Sequence, residues 1–159
     1  MEHIIHTIPP VYDKHSTRLI LGTMPSSRSR EADFYYGNKQ NRLWKILEAV
    51  FDEKTGDSKE EKIEFLLKNR LAMWDVAAEC DIEGAADSSI KNVMPNDFTG
   101  IFHVAAVAKV YTTGKAAFKL YQSLCSLKYN VPFYYLPSPS SANCAMSFEK
   151  IVSAYRVLL

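Results

Sequence analysis

The sequence predicts an α/β fold in which a central, mostly parallel four-stranded sheet lies between helices, a three-layer α/β/α arrangement. Two observations lead to this class. Short apolar runs typical of buried strands alternate with segments of helical periodicity, and strands that alternate with helices form parallel sheets covered on both faces. In addition, 159 residues with 47% hydrophobic and 23% charged side chains are typical of an ordinary globular protein, so we expect one domain over residues 1–159.

Four strands are predicted for this sheet. The first is the apolar run at residues 18–21, which Gly22 closes. The second, third and fourth are predicted at residues 71–76, 104–112 and 131–136. Because ligands bind at the carboxyl ends of parallel strands, the loops that follow these four strands are the places to look for function.

Helices are predicted between and after the strands. Apolar residues recur at helical spacing over residues 43–51, and Asn41 stands where an N-cap would. Residues 59–68 alternate charged and apolar side chains, which predicts an amphipathic surface helix. Helical patterns at residues 114–127 and 148–158 follow the third and fourth strands.

Charge distribution and cysteine usage limit the function classes. The net charge is +1, but residues 14–45 and 98–159 each carry five excess positive charges, and residues 46–97 carry seven excess negative ones. The two basic segments favour a nucleic-acid partner, against which the net charge alone would argue. The three cysteines form no C-x-x-C pair, so we expect no disulfide framework, metal, iron–sulfur cluster or other cofactor.

Targeting signals are also absent from the sequence. No apolar run approaches the roughly 18 residues that span a bilayer, and the N-terminus lacks the pattern of a signal peptide. We therefore expect an intracellular, cytoplasmic protein with no membrane partner. Nothing in the sequence indicates an oligomer, so we expect a monomer.

The loop after the first strand runs from Gly22 to about Gln40, and its length of roughly 19 residues favours a functional role. Gly22 and Pro25 indicate a tight turn whose backbone N–H groups approach a ligand closely. The aromatic residues 34–36 fit two interpretations, a plug beneath the next helix or a surface on which a base stacks. The loop contains neither a dinucleotide fingerprint nor a P-loop.

The loop after the last strand, residues 136–143, reads Leu-Pro-Ser-Pro-Ser-Ser-Ala-Asn. Its prolines and serines preorganise a loop whose hydroxyl and N–H groups suit a phosphate oxygen, although a plain turn has the same composition. No G-x-S-x-G elbow indicates a serine hydrolase. The four histidines, His3, His6, His15 and His103, form no triad or metal pattern in the sequence.

These motifs together resemble the uracil-DNA glycosylase superfamily, and most closely its hypoxanthine-DNA glycosylase family, also called DNA-deoxyinosine glycosylases. Five segments carry the resemblance in order: residues 19–26 (Leu-Ile-Leu-Gly-Thr-Met-Pro-Ser), 36–44 (Tyr-Gly-Asn-Lys-Gln-Asn-Arg-Leu-Trp), 74–76 (Trp-Asp-Val), 86–90 (Ala-Asp-Ser-Ser-Ile) and 136–143. Residues 41–44 also resemble the mismatch-specific uracil and thymine glycosylases. Those enzymes carry an Asn in the first turn, where this chain has Thr23 and Met24, and that departure favours the hypoxanthine family.

The resemblance implies a uracil-DNA glycosylase-like version of the predicted fold and a role in base excision repair of DNA. Such an enzyme flips a deaminated base, most of all hypoxanthine, out of the helix and hydrolyses its N-glycosidic bond to leave an abasic site. It is monofunctional and is associated with the nucleoid when it acts. Two alternatives remain, a uracil- or thymine-mismatch glycosylase of the same superfamily and a noncatalytic nucleic-acid-binding α/β module.

Three groups of site residues follow from the resemblance. For contact with the water or the leaving base we choose Asn38 first and Asn41 second, since an amide orients its partners but takes no proton at neutral pH. Asn41 also fits a purely structural helix cap. We assign the base pocket to Gly22, Thr23, Met24, Pro25, Phe34, Tyr35, Tyr36 and Asp75. We assign contacts with the DNA strand to Ser26, Arg28, Arg42, Lys115, Ser138, Pro139, Ser140, Ser141 and Asn143.

Overall fold

The computed structural model describes residues 2–25, 27–32, 34–37, 39–83 and 89–159, with only the backbone of residues 27, 28 and 32. Some of the predicted site residues therefore lie outside the described residues: Ser26, Asn38 and the side chain of Arg28. The same holds for residues 86–88 of the fourth motif.

The described part of the chain alternates strands and helices. In chain order the elements are β1 (Glu2–Ile5), β2 (Arg18–Gly22), α1 (Ser27–Ala32), α2 (Leu43–Phe51), α3 (Lys59–Lys68), β3 (Leu71–Asp75), β4 (Ala77–Ile82), β5 (Lys91–Pro95), α4 (Thr99–Val104), β6 (Lys109–Thr113), α5 (Lys115–Leu124), β7 (Phe133–Leu136) and α6 (Phe148–Tyr155). A 3-10 turn, Arg156–Leu158, follows α6. No helix within these described ranges combines the length and apolarity needed to cross a membrane.

The central sheet has the strand order β3-β2-β6-β7, and all its neighbouring strands are parallel. Residues 19–22 of strand β2 are apolar and buried, because strands pair with both edges of β2 and helices cover both its faces. Ile20 packs with α2, α3 and α6, whereas Leu19 and Leu21 pack with α4 and α5 on the opposite face. The predicted three-layer α/β/α fold is confirmed.

A second sheet was not predicted. Strands β1, β4 and β5 pair antiparallel in the order β1-β4-β5. Among the described residues, a small apolar cluster supports this sheet, and its buried members are Ile4, Met24, Ala77, Cys80 and Ile82. Because β4 starts at Ala77, directly after the end of β3, the sheet attaches the N-terminal segment to the carboxyl end of the central sheet.

Two predicted elements differ in the structure. The strand predicted at residues 104–112 starts only at Lys109, because Thr99–Val104 form α4 and bury Ile101 in the core. Short apolar runs do not by themselves separate a helix from a strand. The segment predicted as a loop from Gly22 to about Gln40 contains the short helix α1.

Candidate functional site

A cleft of about 530 Å³ opens at the carboxyl ends of the four central strands. The strand order reverses between β2 and β6, and such reversals are where α/β sheets bind ligands. Most of the predicted site residues that the structure describes line this cleft: Gly22, Thr23, Met24, Pro25, Tyr35, Tyr36, Asn41, Asp75, Lys115, Ser138, Pro139, Ser140 and Asn143.

Gly22 and Asp75 meet at one wall of this cleft. They are paired residues at the ends of the parallel strands β2 and β3. A Cβ atom on Gly22 would lie 2.5 Å from Asp75 Oδ1 and 3.0 Å from the hydroxyl of Tyr36, so only glycine permits this approach. The two strands continue to pair beyond this point, since Val76 N–H donates to the Gly22 carbonyl at 2.8 Å.

The Asp75 carboxylate is buried and pairs with His6. The distance from His6 Nε2 to Asp75 Oδ2 is 2.8 Å, and the two side chains are 1% and 5% exposed. His6 follows β1, and its backbone N–H donates to the carbonyl of Ala78 at 2.7 Å. The second sheet therefore brings a histidine from the N-terminal segment to a carboxylate 69 residues later in the chain.

Tyr36 is held over the cleft by an unusual backbone conformation and by its hydroxyl. Its φ of 53° lies in the left-handed region, which costs free energy for a residue other than glycine. Its hydroxyl lies 2.9 Å from Thr113 Oγ1. Because the Thr113 hydroxyl donates to the Leu21 carbonyl at 3.3 Å, it accepts from Tyr36, and this chain of bonds ties the aromatic ring to strands β2 and β6.

Tyr35 and Phe34 have different environments. Tyr35 lines the cleft, and burial, followed by the charge of Asp75, raises the pKa of Tyr35 above its usual range. Its protonated hydroxyl donates to the Pro9 carbonyl at 2.7 Å. Contrary to the prediction, Phe34 lies outside the cleft, because its ring is 6% exposed and stacks on Trp44 in the core. The plug interpretation is therefore correct for Phe34.

Asn41 lines the cleft and precedes α2, but it is not the predicted N-cap, because the N-cap of α2 is Arg42. Its Oδ1 accepts the N–H of Leu43, the first residue of α2, at 2.9 Å. This bond to the residue two positions later stabilises the turn that enters the helix. No described residue accepts a hydrogen bond from its amide nitrogen Nδ2, so the two N–H groups of that atom can donate to a ligand in the cleft.

The loop after β7 is built from its own hydrogen bonds. Ser138 Oγ accepts the N–H of Ser140 at 3.2 Å, and Ser140 Oγ accepts the N–H of Ala142 at 3.2 Å. Asn143 Nδ2 donates to the Ser138 carbonyl at 3.0 Å. In these bonds the serine oxygens only accept, so their O–H groups remain able to donate to a phosphate oxygen. Ser141 is exposed and lies outside the lining of the cleft.

Arg42 was predicted to contact the DNA strand, but its side chain contacts the protein's own backbone. Its guanidinium is partly buried and donates to the carbonyls of Met146 at 3.1 Å, Asn143 at 3.0 Å and Ser140 at 3.3 Å. Its backbone N–H also donates to the Pro139 carbonyl at 3.0 Å. Arg42 therefore joins the start of α2 to the loop after β7 and does not line the cleft.

The start of α5 closes another part of the cleft. Gly114, with a φ of 96°, precedes the helix, and its N–H donates to the Leu136 carbonyl at 2.7 Å. The first N–H groups of a helix have no partner within that helix and favour an anion. The exposed Lys115 adds a positive charge at this point.

Sequence reasoning missed further residues of this site, among them Tyr135, Thr113 and His6. Tyr135, which is 44% exposed, and Thr113 line the cleft at the ends of β7 and β6. Their positions were a usable signal, because Tyr135 stands near the carboxyl end of a predicted strand and Thr113 directly follows one. His6 had no such signal, since its partner depends on the second sheet.

Known proteins have a similar fold and about a third of their aligned residues in common with this chain. No protein-family model matches the chain. The chain is 34% identical to a hypoxanthine DNA glycosylase of Methanosarcina acetivorans and 31% identical to one of Methanosarcina barkeri, each over 137 residues and 85% of both chains. Its fold is similar to the solution NMR structure of a candidate uracil DNA glycosylase from Methanosarcina acetivorans, with a TM-score of 0.80, 30% identity and coverage of 96% of this chain and 97% of that one. These similarities confirm the resemblance seen in the sequence, and the chain belongs to the hypoxanthine DNA glycosylase family of the uracil-DNA glycosylase superfamily.

Proposed function

We propose that this protein is a monofunctional DNA N-glycosylase that removes hypoxanthine from DNA and leaves an abasic site. One observation carries the proposal. Four segments that are distant in the sequence and that resemble the family, residues 19–26, 36–44, 74–76 and 136–143, each contribute side chains to one cleft. The relatives named hypoxanthine DNA glycosylase match over 85% of the chain, which includes most of these segments.

The cleft fits a base that has been turned out of the DNA helix. An enzyme reaches the bond between base and sugar only after extruding the nucleotide into a pocket. A volume of about 530 Å³ lies within the ordinary range for small-ligand sites. The partly exposed aromatic ring of Tyr36 offers a stacking surface, and Asp75 offers a polar contact at the end of β3.

Bond cleavage requires stabilisation of the charges that develop. The sugar gains oxocarbenium character while negative charge develops on the leaving base. Because Asn41 Oδ1 accepts from Leu43 N–H, the amide donors at Nδ2 are the groups that Asn41 offers to the leaving base or to the attacking water. Asn38, three residues earlier, remains the first candidate for this role.

The DNA strand is held by the loop after β7 and by the start of α5. The O–H groups of Ser138 and Ser140 and the first N–H groups of α5 suit phosphate oxygens, with Lys115 adding charge. Phosphate contacts release counterions, so affinity for DNA falls as the salt concentration rises.

Uracil is a second candidate substrate, because the structural neighbour is named a candidate uracil DNA glycosylase. Hypoxanthine and uracil both present a ring N–H beside a carbonyl, so one polar contact serves both bases. We propose that uracil is removed more slowly than hypoxanthine, since the named relatives act on hypoxanthine.

The experiment is an excision assay with the purified protein and oligonucleotides that carry one hypoxanthine, uracil, xanthine or mismatched thymine. Alkali then breaks the strand at abasic sites. We expect the fastest excision for hypoxanthine and no strand break before alkali is added. Binding to DNA without excision of any base would instead support a noncatalytic nucleic-acid-binding module and contradict the proposal.

A further inference from the structure

A buried histidine–carboxylate pair lies at one wall of the cleft. His6 Nε2 lies 2.8 Å from Asp75 Oδ2, and the side chains are 1% and 5% exposed. Burial of a carboxylate costs free energy unless the charge is paired and hydrogen-bonded. The pair is therefore a fixed feature of the cleft rather than a surface contact.

The surroundings hold the His6 ring and the Asp75 backbone in place. The His6 ring packs against Tyr35 and against the edge of Trp74, with centroid distances of 6.0 and 6.1 Å. Asn96 Nδ2 donates to the Asp75 backbone carbonyl at 2.9 Å. An N–H at His6 Nε2 donates the hydrogen bond to Asp75 Oδ2, because a carboxylate oxygen is the acceptor.

The second carboxylate oxygen is directed towards the cleft. Asp75 Oδ1 lies beside Gly22, where a Cβ atom would come within 2.5 Å, and both residues line the cleft. Within the described ranges no group donates a hydrogen bond to Oδ1. An ionised carboxylate only accepts hydrogen bonds, so this atom presents an acceptor and no donor.

We propose that His6 is a positioning residue that holds Asp75 so that Oδ1 accepts a hydrogen bond from the ring N–H of a lactam base. The proposal rests on the proposed function and names the chemical feature that the cleft recognises. Hypoxanthine carries such a group at N1, and uracil carries it at N3. Adenine and cytosine carry an acceptor nitrogen at the corresponding positions, so a fixed acceptor at Oδ1 repels them.

This contact favours hypoxanthine and uracil over the two bases from which they arise, adenine and cytosine. Deamination of adenine replaces an amino group by a carbonyl and places a proton on the neighbouring ring nitrogen. A site built to accept that proton discriminates strongly against an analogue that lacks it. Without His6, the Asp75 side chain loses its partner and its fixed orientation, and the discrimination falls.

The test measures binding of two uncleavable oligonucleotides to wild-type protein and two variants. Both oligonucleotides carry one 2′-fluoroarabino nucleotide. In the first its base is hypoxanthine, and in the second it is unsubstituted purine, which lacks both the N1–H and the carbonyl. The variants are His6→Leu, which removes the donor to Asp75, and His6→Gln, whose amide N–H reaches a similar position. The measured quantity is the ratio of the two Kd values for each protein, which does not depend on the fraction of protein that is folded.

We expect wild-type protein to bind the hypoxanthine analogue about tenfold more tightly than the purine analogue, because one hydrogen bond to a charged group contributes about this factor to affinity. His6→Leu brings this ratio close to one, and His6→Gln restores most of it. A merely structural role of His6 would change both Kd values together. An unchanged ratio in His6→Leu, or a wild-type ratio near one, overturns the inference.

A second measurement separates this inference from the proposed function. Wild-type protein is assayed for excision of cleavable hypoxanthine under single-turnover conditions. Absence of excision contradicts the proposed function itself. Excision together with a ratio that His6→Leu does not alter contradicts only the role of His6.

Discussion

The loop after β2 and the loop after β7 line the same cleft but are held in place in different ways. In the loop after β7, the side chains of Ser138, Ser140 and Asn143 form hydrogen bonds with residues no more than five positions away. In the loop after β2, Tyr36 bonds Thr113, 77 residues away, and the facing Asp75 bonds His6, 69 residues away.

This difference determines how each region responds to substitution. A loop with internal hydrogen bonds keeps its shape when a distant residue changes, and it loses mainly its attachment to the rest of the protein. The wall around Gly22 depends on the register of separate strands, so one change there disturbs several contacts at once. The predictions below test this contrast.

Gly22→Ala has the largest expected effect. The new Cβ atom meets Asp75 Oδ1 at 2.5 Å and the Tyr36 hydroxyl at 3.0 Å, so the base-binding wall must shift. A displacement of about 1 Å in an active site costs on the order of a hundredfold in rate. We expect a loss of this size in single-turnover excision of hypoxanthine.

Gly100→Ala is the matched control. Gly100 lies in α4, and a Cβ atom there meets nothing within 4 Å. We expect full activity and a free energy of unfolding raised by up to about 1 kcal/mol, because alanine favours a helix. Wild-type activity of Gly22→Ala would show that the contact between Gly22 and Asp75 does not shape the site.

Arg42→Met tests the attachment of the loop after β7. The variant loses the donors to three carbonyls, those of Ser140, Asn143 and Met146. We expect DNA affinity to fall about tenfold, the equivalent of one charge-assisted hydrogen bond. Arg42→Lys does not restore it, since an ammonium group lacks the fork that reaches several carbonyls.

The salt dependence of binding distinguishes attachment of the loop from a direct contact with phosphate. If Arg42 only holds the loop, the slope of log affinity against log salt concentration stays at the wild-type value in Arg42→Met. Lys115→Gln is the comparison, and it lowers the slope by about one because a phosphate contact is lost. A similar decrease of the slope in Arg42→Met would mean that Arg42 contacts a DNA phosphate directly, as the sequence analysis predicted.

The sequence was sufficient to predict the central sheet, because strands buried on both faces are continuous apolar runs. Strand β2 and helix α3 lie within one residue of their predicted bounds. The second sheet escaped prediction since β5 is mostly exposed and carries few apolar residues. Its pairing depends on contacts between segments that are far apart in the chain, which local periodicity does not encode.

The same reasoning applies to the site. Asp75 and Ser138 were assigned to the site on the family resemblance. Their positions near the end of a predicted strand and in the loop after one agree with that assignment, because a parallel sheet brings these carboxyl ends together. Phe34 was misplaced, because residue type alone does not separate a core aromatic from a stacking one. His6 was passed over, since its role arises only where β1 pairs with β4.

Asn41 allows the structural and the ligand-binding roles of one side chain to be separated. Asn41→Ala removes the acceptor for Leu43 N–H, so we expect the free energy of unfolding to fall by about 1 kcal/mol. Asn41→Ser keeps an oxygen acceptor for this N–H but lacks the amide donors. We therefore expect wild-type stability with reduced excision in Asn41→Ser. Wild-type excision in that variant would mean that Asn41 only stabilises the start of α2.

Asp97→Asn has the smallest expected effect on activity, because Asp97 is exposed and does not line the cleft. Hydrogen bonds from Thr99, and to a lesser extent from Tyr129, lower the pKa of Asp97 to about 2. A carboxyl with a lowered folded-state pKa stabilises the protein above its unfolded value, near 3.8, and this contribution is lost as the pH falls to about 2. Asp97→Asn should therefore be less stable than wild type at about pH 5, and urea unfolding should show the difference shrinking towards pH 2. Hypoxanthine excision should stay unchanged, since a stability effect away from both loops leaves the cleft intact. A constant difference at all pH values would mean that the variant acts through lost packing rather than through the ionised carboxylate.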